Sequence, residues 1–290
     1  MFPSVEDMQI YCAASSLPVW QAFRDTDAEE QGMSVEQSTE KMRLVWTAMR
    51  ESIESYDPAL RSRSGMVGGE GERMRAYAAA GEALCGDFVS AVISRALMLG
   101  ASNACMHRIV AAPTAGACGV LPAVLYSAWE RYRYSEEEIL RALYVAAGFG
   151  EIIAHRASLS GAAGGCQAEI GSASGMAAAA LVSLRGGTAS QMGHGCAMAL
   201  KNLMGLVCDP VAGLVEVPCV KRNVVGAVNA LAAADMALAG IESIIPADQV
   251  IDAMRAVGDA MSSDLRETAR GGVAASPRAR ELEELLSEKN

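Results

Sequence analysis

Long runs of alternating β-branched residues are nearly missing from this 290-residue chain, which leaves a sheet-based fold little to be built from. Aromatic residues make up only 5% of it, so few large side chains exist to fill gaps and small residues must close the core. An excess of positive charge is missing too: 24 Lys and Arg against 34 Asp and Glu give a net charge of -10. A binder of phosphate backbones needs clustered cations to displace counterions, so no nucleic acid partner is expected. The opening residues MFPSVEDMQIYC carry acidic side chains and no basic region ahead of an apolar stretch. They do not read as a secretory signal, and a cytoplasmic location is expected. No apolar run reaches the roughly 20 residues that cross a bilayer, so no membrane partner is expected. The most apolar late segment, VVGAVNALAAADMALAG, is interrupted by Asn229 and Asp235 and reads as a buried core helix. Without an export signal, the eight cysteines do not suggest a disulfide framework, because cytosolic thiols are kept reduced.

Hydrophobic residues, by contrast, make up 51% of the chain, enough for a large core, and helix punctuation is plentiful. Ser34 with Gln37, Ser135 with Glu138, and Thr188 with Gln191 each have the capping-box spacing that satisfies exposed amides at a helix start. Asp57-Pro58, Gly100 and Gly186-Gly187 are expected stops, while Pro246 and Pro277 sit where a first-turn proline is tolerated. The expected fold class is all-α: a single helical domain over residues 1–290, with Gly-rich loops around its site. Within it, residues 1–60 are expected to form a peripheral N-terminal helix pair, 61–245 the core, and 246–290 C-terminal helices. Residues 34–56 and 276–290 are charge-rich and expected outside. The Gly-, Ala- and Cys-rich stretches 105–125 and 158–223 are where chemistry is expected.

Cys166 follows Gly164-Gly165, Cys208 precedes Asp209-Pro210, and Cys219 follows Pro218, so all three lie where the chain is expected to leave helical geometry. Their separations match neither ferredoxin runs nor the paired Cys-x-x-Cys of zinc sites, and a single buried Cys is most often a small core residue. Spacing alone therefore leaves a metal role open. The surrounding segments say more. SLSGAAGGCQAEIGSASGMAAA (158–179) and GLVCDPVAGLVEVPCVKRN (205–223) closely resemble the signature segments of iron-sulfur-dependent L-serine dehydratases, the two-chain bacterial type in particular. APTAGACGVLPAVL (112–125) belongs to the same pattern, and SGMVGGEGERM (64–74) does so more loosely.

The resemblance implies a [4Fe-4S] cluster held by Cys166, Cys208 and Cys219, with a fourth iron open to substrate, and no pyridoxal phosphate. It implies dehydration of L-serine to pyruvate and ammonia, the open iron acting as Lewis acid on the β-hydroxyl. Some single-chain relatives carry an N-terminal domain with a Ser-rich, His-Thr-containing loop that reaches the active site. No SSSHT-like segment occurs here, which implies a separate β chain as partner. Those relatives also have a His-Asn pair where this chain has Lys201-Asn202, so a role for that His does not transfer.

Around the cysteines, PTAGACG (113–119) offers Thr114, Ala115 and Gly116 as a candidate anion nest for the substrate carboxylate; a tight helix crossing would use the same glycines. Ser158 and Ser160 are candidates for contacting the substrate, or for starting the next helix. Among the histidines His155 stands nearest to this motif and is the candidate for proton transfer, ahead of His107 and His194. Lys221 and Arg222 are candidates to pair with the substrate carboxylate or to offset the negative charge of a cluster. Cys118 and Cys196 lie near the motifs, whereas Cys12, Cys85 and Cys105 lie outside them. Two rival readings stand beside serine: a lyase of the same type acting on threonine or cysteine, and a non-catalytic helical scaffold or regulatory chain.

Overall fold

The computed structural model describes residues 1–288, and among these the chain forms thirteen α-helices and no strand. Helices α1 (Val5–Ser15), α2 (Val19–Glu30) and α3 (Val35–Glu54) lead into α4 (Glu70–Ala79), α5 (Gly86–Ala104), α6 (Val120–Tyr132) and α7 (Glu136–Arg156). A single turn, α8 (Gly161–Gly164), precedes α9 (Ser172–Leu184), α10 (Ala189–Asn202) and α11 (Cys219–Leu238). The described chain ends with α12 (Ala247–Ala260) and α13 (Pro277–Ser287). None of these helices is long and apolar enough to cross a membrane.

The local signals act as the sequence suggests. All three capping boxes form, at the starts of α3, α7 and α10, each with its reciprocal pair of side-chain-to-backbone hydrogen bonds. Pro277 is the first residue of α13, and Gly186 follows α9 in the left-handed region at φ 75°. Gly100 does not stop a helix. It lies inside α5, where a side chain would stand 3.1 Å from Val220 Cγ1, so its role is to let α11 approach.

The centre of the molecule is α9, whose sequence SASGMAAAALVSL is small and apolar on every side. A helix hydrophobic all round belongs in the interior, and Ala177, Ala178, Ala179 and Ala180 are fully buried. Helices α6, α7, α10 and α11 pack around it. Short side chains bring these backbones close together, which is how a chain poor in aromatics reaches interior density.

Three N-terminal helices form instead of a pair, and they dock into the same core. Met8 and Trp46 are fully buried, and the ring of Phe23 fills the space left by Gly148 on α7. The charge-rich stretch 34–56 is thus outside on one face only, since Trp46, Met49 and Ile53 of α3 point inward. One continuous set of buried apolar residues runs from residue 2 to residue 254.

Candidate active site

The two Cys-rich segments meet at the lower end of α9. Cys166 ends a tight turn in which Gly165 adopts φ 75°; a side chain there would strike Met261 and the Leu206 carbonyl. The next residues, Gln167–Gly171, form a single π-helical turn that leads into α9. Such turns insert an extra residue and redirect side chains, and they recur at functional sites. Gln167, itself buried, ties the segments together: its amide donates to the Leu206 carbonyl (2.9 Å), its Oε1 accepts from Gly205 N (2.8 Å), and its Nε2 donates to the Met254 carbonyl (2.9 Å). Cys208 is held by a short parallel bridge, its amide donating to the Leu265 carbonyl (2.8 Å) and its carbonyl accepting from Glu267 N (2.7 Å). Cys219 opens α11 directly after Pro218.

Cys166, Cys208 and Cys219 are buried, with 3%, 4% and 8% of their surface exposed. They lie close enough for their charges to act on one another: Cys208 senses Cys166 and Cys219, and Cys219 senses Cys166. Burial pushes the Cys166 thiol up to about 11 and the Cys219 thiol up to about 12, and Cys208 is raised further. Among the described residues Arg222 is the cation drawn into this group. Its Nη2 pairs with buried Asp209 at 2.8 Å, its Nη1 donates to the Val207 carbonyl at 2.7 Å, and it hydrogen-bonds Cys166, favouring the thiolate there. Asp209 also accepts from Val273 N (2.6 Å), so the segment after α12 closes over the site.

The π-turn also turns Glu169 toward the cysteines, a residue that none of the motif arguments singled out. Its carboxyl lies between Gly116 and Gly161, where added side chains would stand 3.2 Å from Oε1 and 2.7 Å from Oε2. Burial raises its pKa; the nearby Thr114 hydroxyl works against this and Glu267 adds to it. A charged residue inside QAEIG, within an otherwise apolar stretch, was the signal that could have found it.

The other expected residues divide. Thr114, Ala115 and Gly116 are brought to Glu169 by a 3-10 turn, and Asn223 of α11 anchors that turn by donating to the Gly116 carbonyl (2.8 Å) and accepting from Gly119 N (2.7 Å). The amides of Ala117, Cys118 and Gly119 already have acceptors, which removes them from any anion nest. Ser158 Oγ accepts from Ser160 N (3.0 Å), and Ser160 precedes α8. His155 is exposed and shares with Ser158 a hollow of about 370 Å³ that none of the three cysteines lines. His194 accepts from Ser243 N (3.3 Å), and His107 borders a surface hollow with Glu51 and Arg108. Lys221 points outward to Glu70 (3.4 Å), so of the basic pair it is Arg222 that faces the cysteines. Cys118 and Cys196 are fully buried, Cys118 donating weakly to the Leu99 carbonyl and Cys196 packing against Gly175.

Among the described residues no group of three His, Cys, Asp or Glu is arranged to hold a single metal ion. A cubane cluster presents separate irons at its corners, so its thiolates stand farther apart than the ligands of one ion. Three buried thiols that sense one another, with one arginine to offset charge, are a donor set that fits such a cluster.

The family model described as serine dehydratase alpha chain matches residues 14–274. The chain belongs to this family. It is 50% identical over 240 residues to the probable L-serine dehydratase alpha chain of Bacillus subtilis, covering 83% of this chain and 80% of that one. It is 47% identical over 211 residues to the L-serine dehydratase alpha chain of Peptoniphilus asaccharolyticus, covering 73% and 72%. Against the L-serine dehydratase TdcG of Escherichia coli, identity is 43% over 182 residues, 62% of this chain but only 40% of that longer one. The family match includes the 263–274 segment that closes over Asp209, as well as the cysteine motifs.

Proposed function

We propose that this serine dehydratase alpha chain carries a [4Fe-4S] cluster on Cys166, Cys208 and Cys219 and, with a β chain, converts L-serine to pyruvate and ammonia. The observation that supports this most is the convergence of three cysteines, distant in sequence, into one buried group that also contains Arg222 and Glu169. The names of the relatives point the same way. When bound, a cluster with three protein thiolates supplies a Lewis acid at its remaining iron, suited to the β-hydroxyl of serine.

The chain's own residues prepare that position. Arg222 carries positive charge beside Cys166, and its bonds to Asp209 and Val207 keep the Cys208 loop in place. Gln167 fixes the Cys166 turn against the same loop, so the two thiols cannot drift apart. Ser62 Oγ (2.7 Å) and Ser64 Oγ, the first residue of the 64–74 motif, both donate to buried Glu216 and secure the loop before Cys219. We place the acceptor of the α-proton on the β chain, since among the described residues His155, His194 and His107 line hollows or make contacts that include none of the three cysteines.

Anaerobic purification of the chain, alone and with its β partner, tests the reading. About four irons per alpha chain, with pyruvate formed from L-serine only in the pair and without added pyridoxal phosphate, is the expected result. Turnover of L-threonine and L-cysteine in the same assay separates serine from its neighbours. A protein without iron in every preparation, or no pyruvate from any pairing, overturns it.

A further inference from the structure

Glu169 is a largely buried carboxyl without a cation. Among the described residues no Lys, Arg or His pairs with it, and Arg222, the one cation nearby, is engaged by Asp209, Val207 and Cys166. Glu267 adds a negative charge nearby. Thr114 Oγ1 lies beside it, buried, and makes no hydrogen bond of good geometry within the chain. An uncompensated buried carboxylate is costly, and a cationic ligand removes that cost.

The glycines define what can reach it. An atom placed where Gly161 would carry its Cβ stands 2.7 Å from Glu169 Oε2 and 2.9 Å from Cys208 Sγ. Carboxylate and thiol are therefore neighbours, both packed against Gly161 so closely that any side chain there would strike them. Gly116 lies against the other oxygen, Oε1, where an added Cβ would stand 3.2 Å away. A substrate that reaches the cysteines meets the Glu169 carboxyl beside Cys208, as suits an amino acid whose amino and hydroxyl groups sit on adjacent carbons.

We infer that Glu169 receives the α-ammonium group of the substrate, with Thr114 Oγ1 as an auxiliary partner, making the site selective for amino acids over the corresponding acids. This rests on the lyase reading above, and its test is separable from that reading. Calorimetric titration of the anaerobically assembled two-chain enzyme uses L-alanine and propanoate, which differ only in the amino group and have no hydroxyl to eliminate. In the native enzyme L-alanine is expected to bind at least about tenfold more tightly than propanoate, the scale of a hydrogen bond to a charged group. Glu169→Gln is expected to abolish that difference with iron content and visible spectrum unchanged, and Glu169→Asp to retain part of it. For L-serine, Glu169→Gln is expected to raise KM by about ten- to a hundredfold, more than it lowers kcat. Equal binding of the two ligands by the native enzyme, a preference that survives Glu169→Gln, or loss of iron in both variants would overturn the inference. Absence of pyruvate from the native pair would instead count against the lyase reading itself.

Discussion

Cys166, Cys208 and Cys219 share surroundings that the other five cysteines lack. Cys12 is buried beside Met8, Cys118 and Cys196 sit inside helix contacts, and Cys85 is exposed. Replacing any one of the three proposed ligands by serine is expected to leave the anaerobic protein without its full iron, while Cys12→Ser keeps it; iron analysis on the purified chains decides. A different residue sets a pH dependence away from the site. Glu151 on α7 is half-buried, and burial, aided by the charge of Asp27, raises its pKa above the ordinary 4.5, the N-terminal amine opposing. The folded state then holds this proton more tightly than the unfolded chain, so its contribution is present below 4.5 and is lost as pH rises through the raised folded value. Glu151→Gln is expected to remove that part of the fall, seen as a urea midpoint that declines less than the native one between about pH 4 and about pH 7.

At the scale of elements, the segment after α12 has a larger role than its exposed, irregular sequence suggests. Leu265 and Glu267 clasp Cys208 through the backbone, and Val273 N caps Asp209. Gly272 sits at φ 60° with its missing side chain directed at Asp209, where a Cβ would stand 2.2 Å from Oδ2. Gly272→Ala is expected to destabilise the protein by about 1–3 kcal/mol, through backbone strain and overpacking, and to lower iron occupancy as the Asp209–Arg222 pair shifts. At the start of α10, Thr188→Ala removes the helix cap and is expected to cost about 1 kcal/mol with iron unchanged. Thermal unfolding and iron content, measured together on both variants, distinguish a site effect from a fold effect. The capping boxes were readable because their partners are three residues apart. The clasp on Cys208 was not, because its partners are remote in sequence and meet through backbone atoms that every residue possesses.

At the scale of the whole molecule, the N-terminal helices and the site-bearing helices share one core, with Phe23, Trp46 and Phe149 in the same buried set as the alanines of α9. Tryptophan fluorescence reports the region where Trp46 and Trp129 pack, whereas far-UV circular dichroism reports every helix. The two signals are expected to give one coincident urea transition; an earlier fluorescence transition would show that residues 1–60 unfold separately. The all-α class, the three capping-box helix starts and the three cysteine motifs could be taken from sequence, since periodicity, caps and motif resemblance are properties of short neighbouring segments. That Gly100 spaces two helices instead of ending one, that Arg222 and not Lys221 faces the cysteines, and that Glu169 enters their space were decided only by tertiary structure. Each of those depends on which face of a helix meets a distant partner, and one residue's shift in a turn, such as the π-turn before α9, is enough to change it.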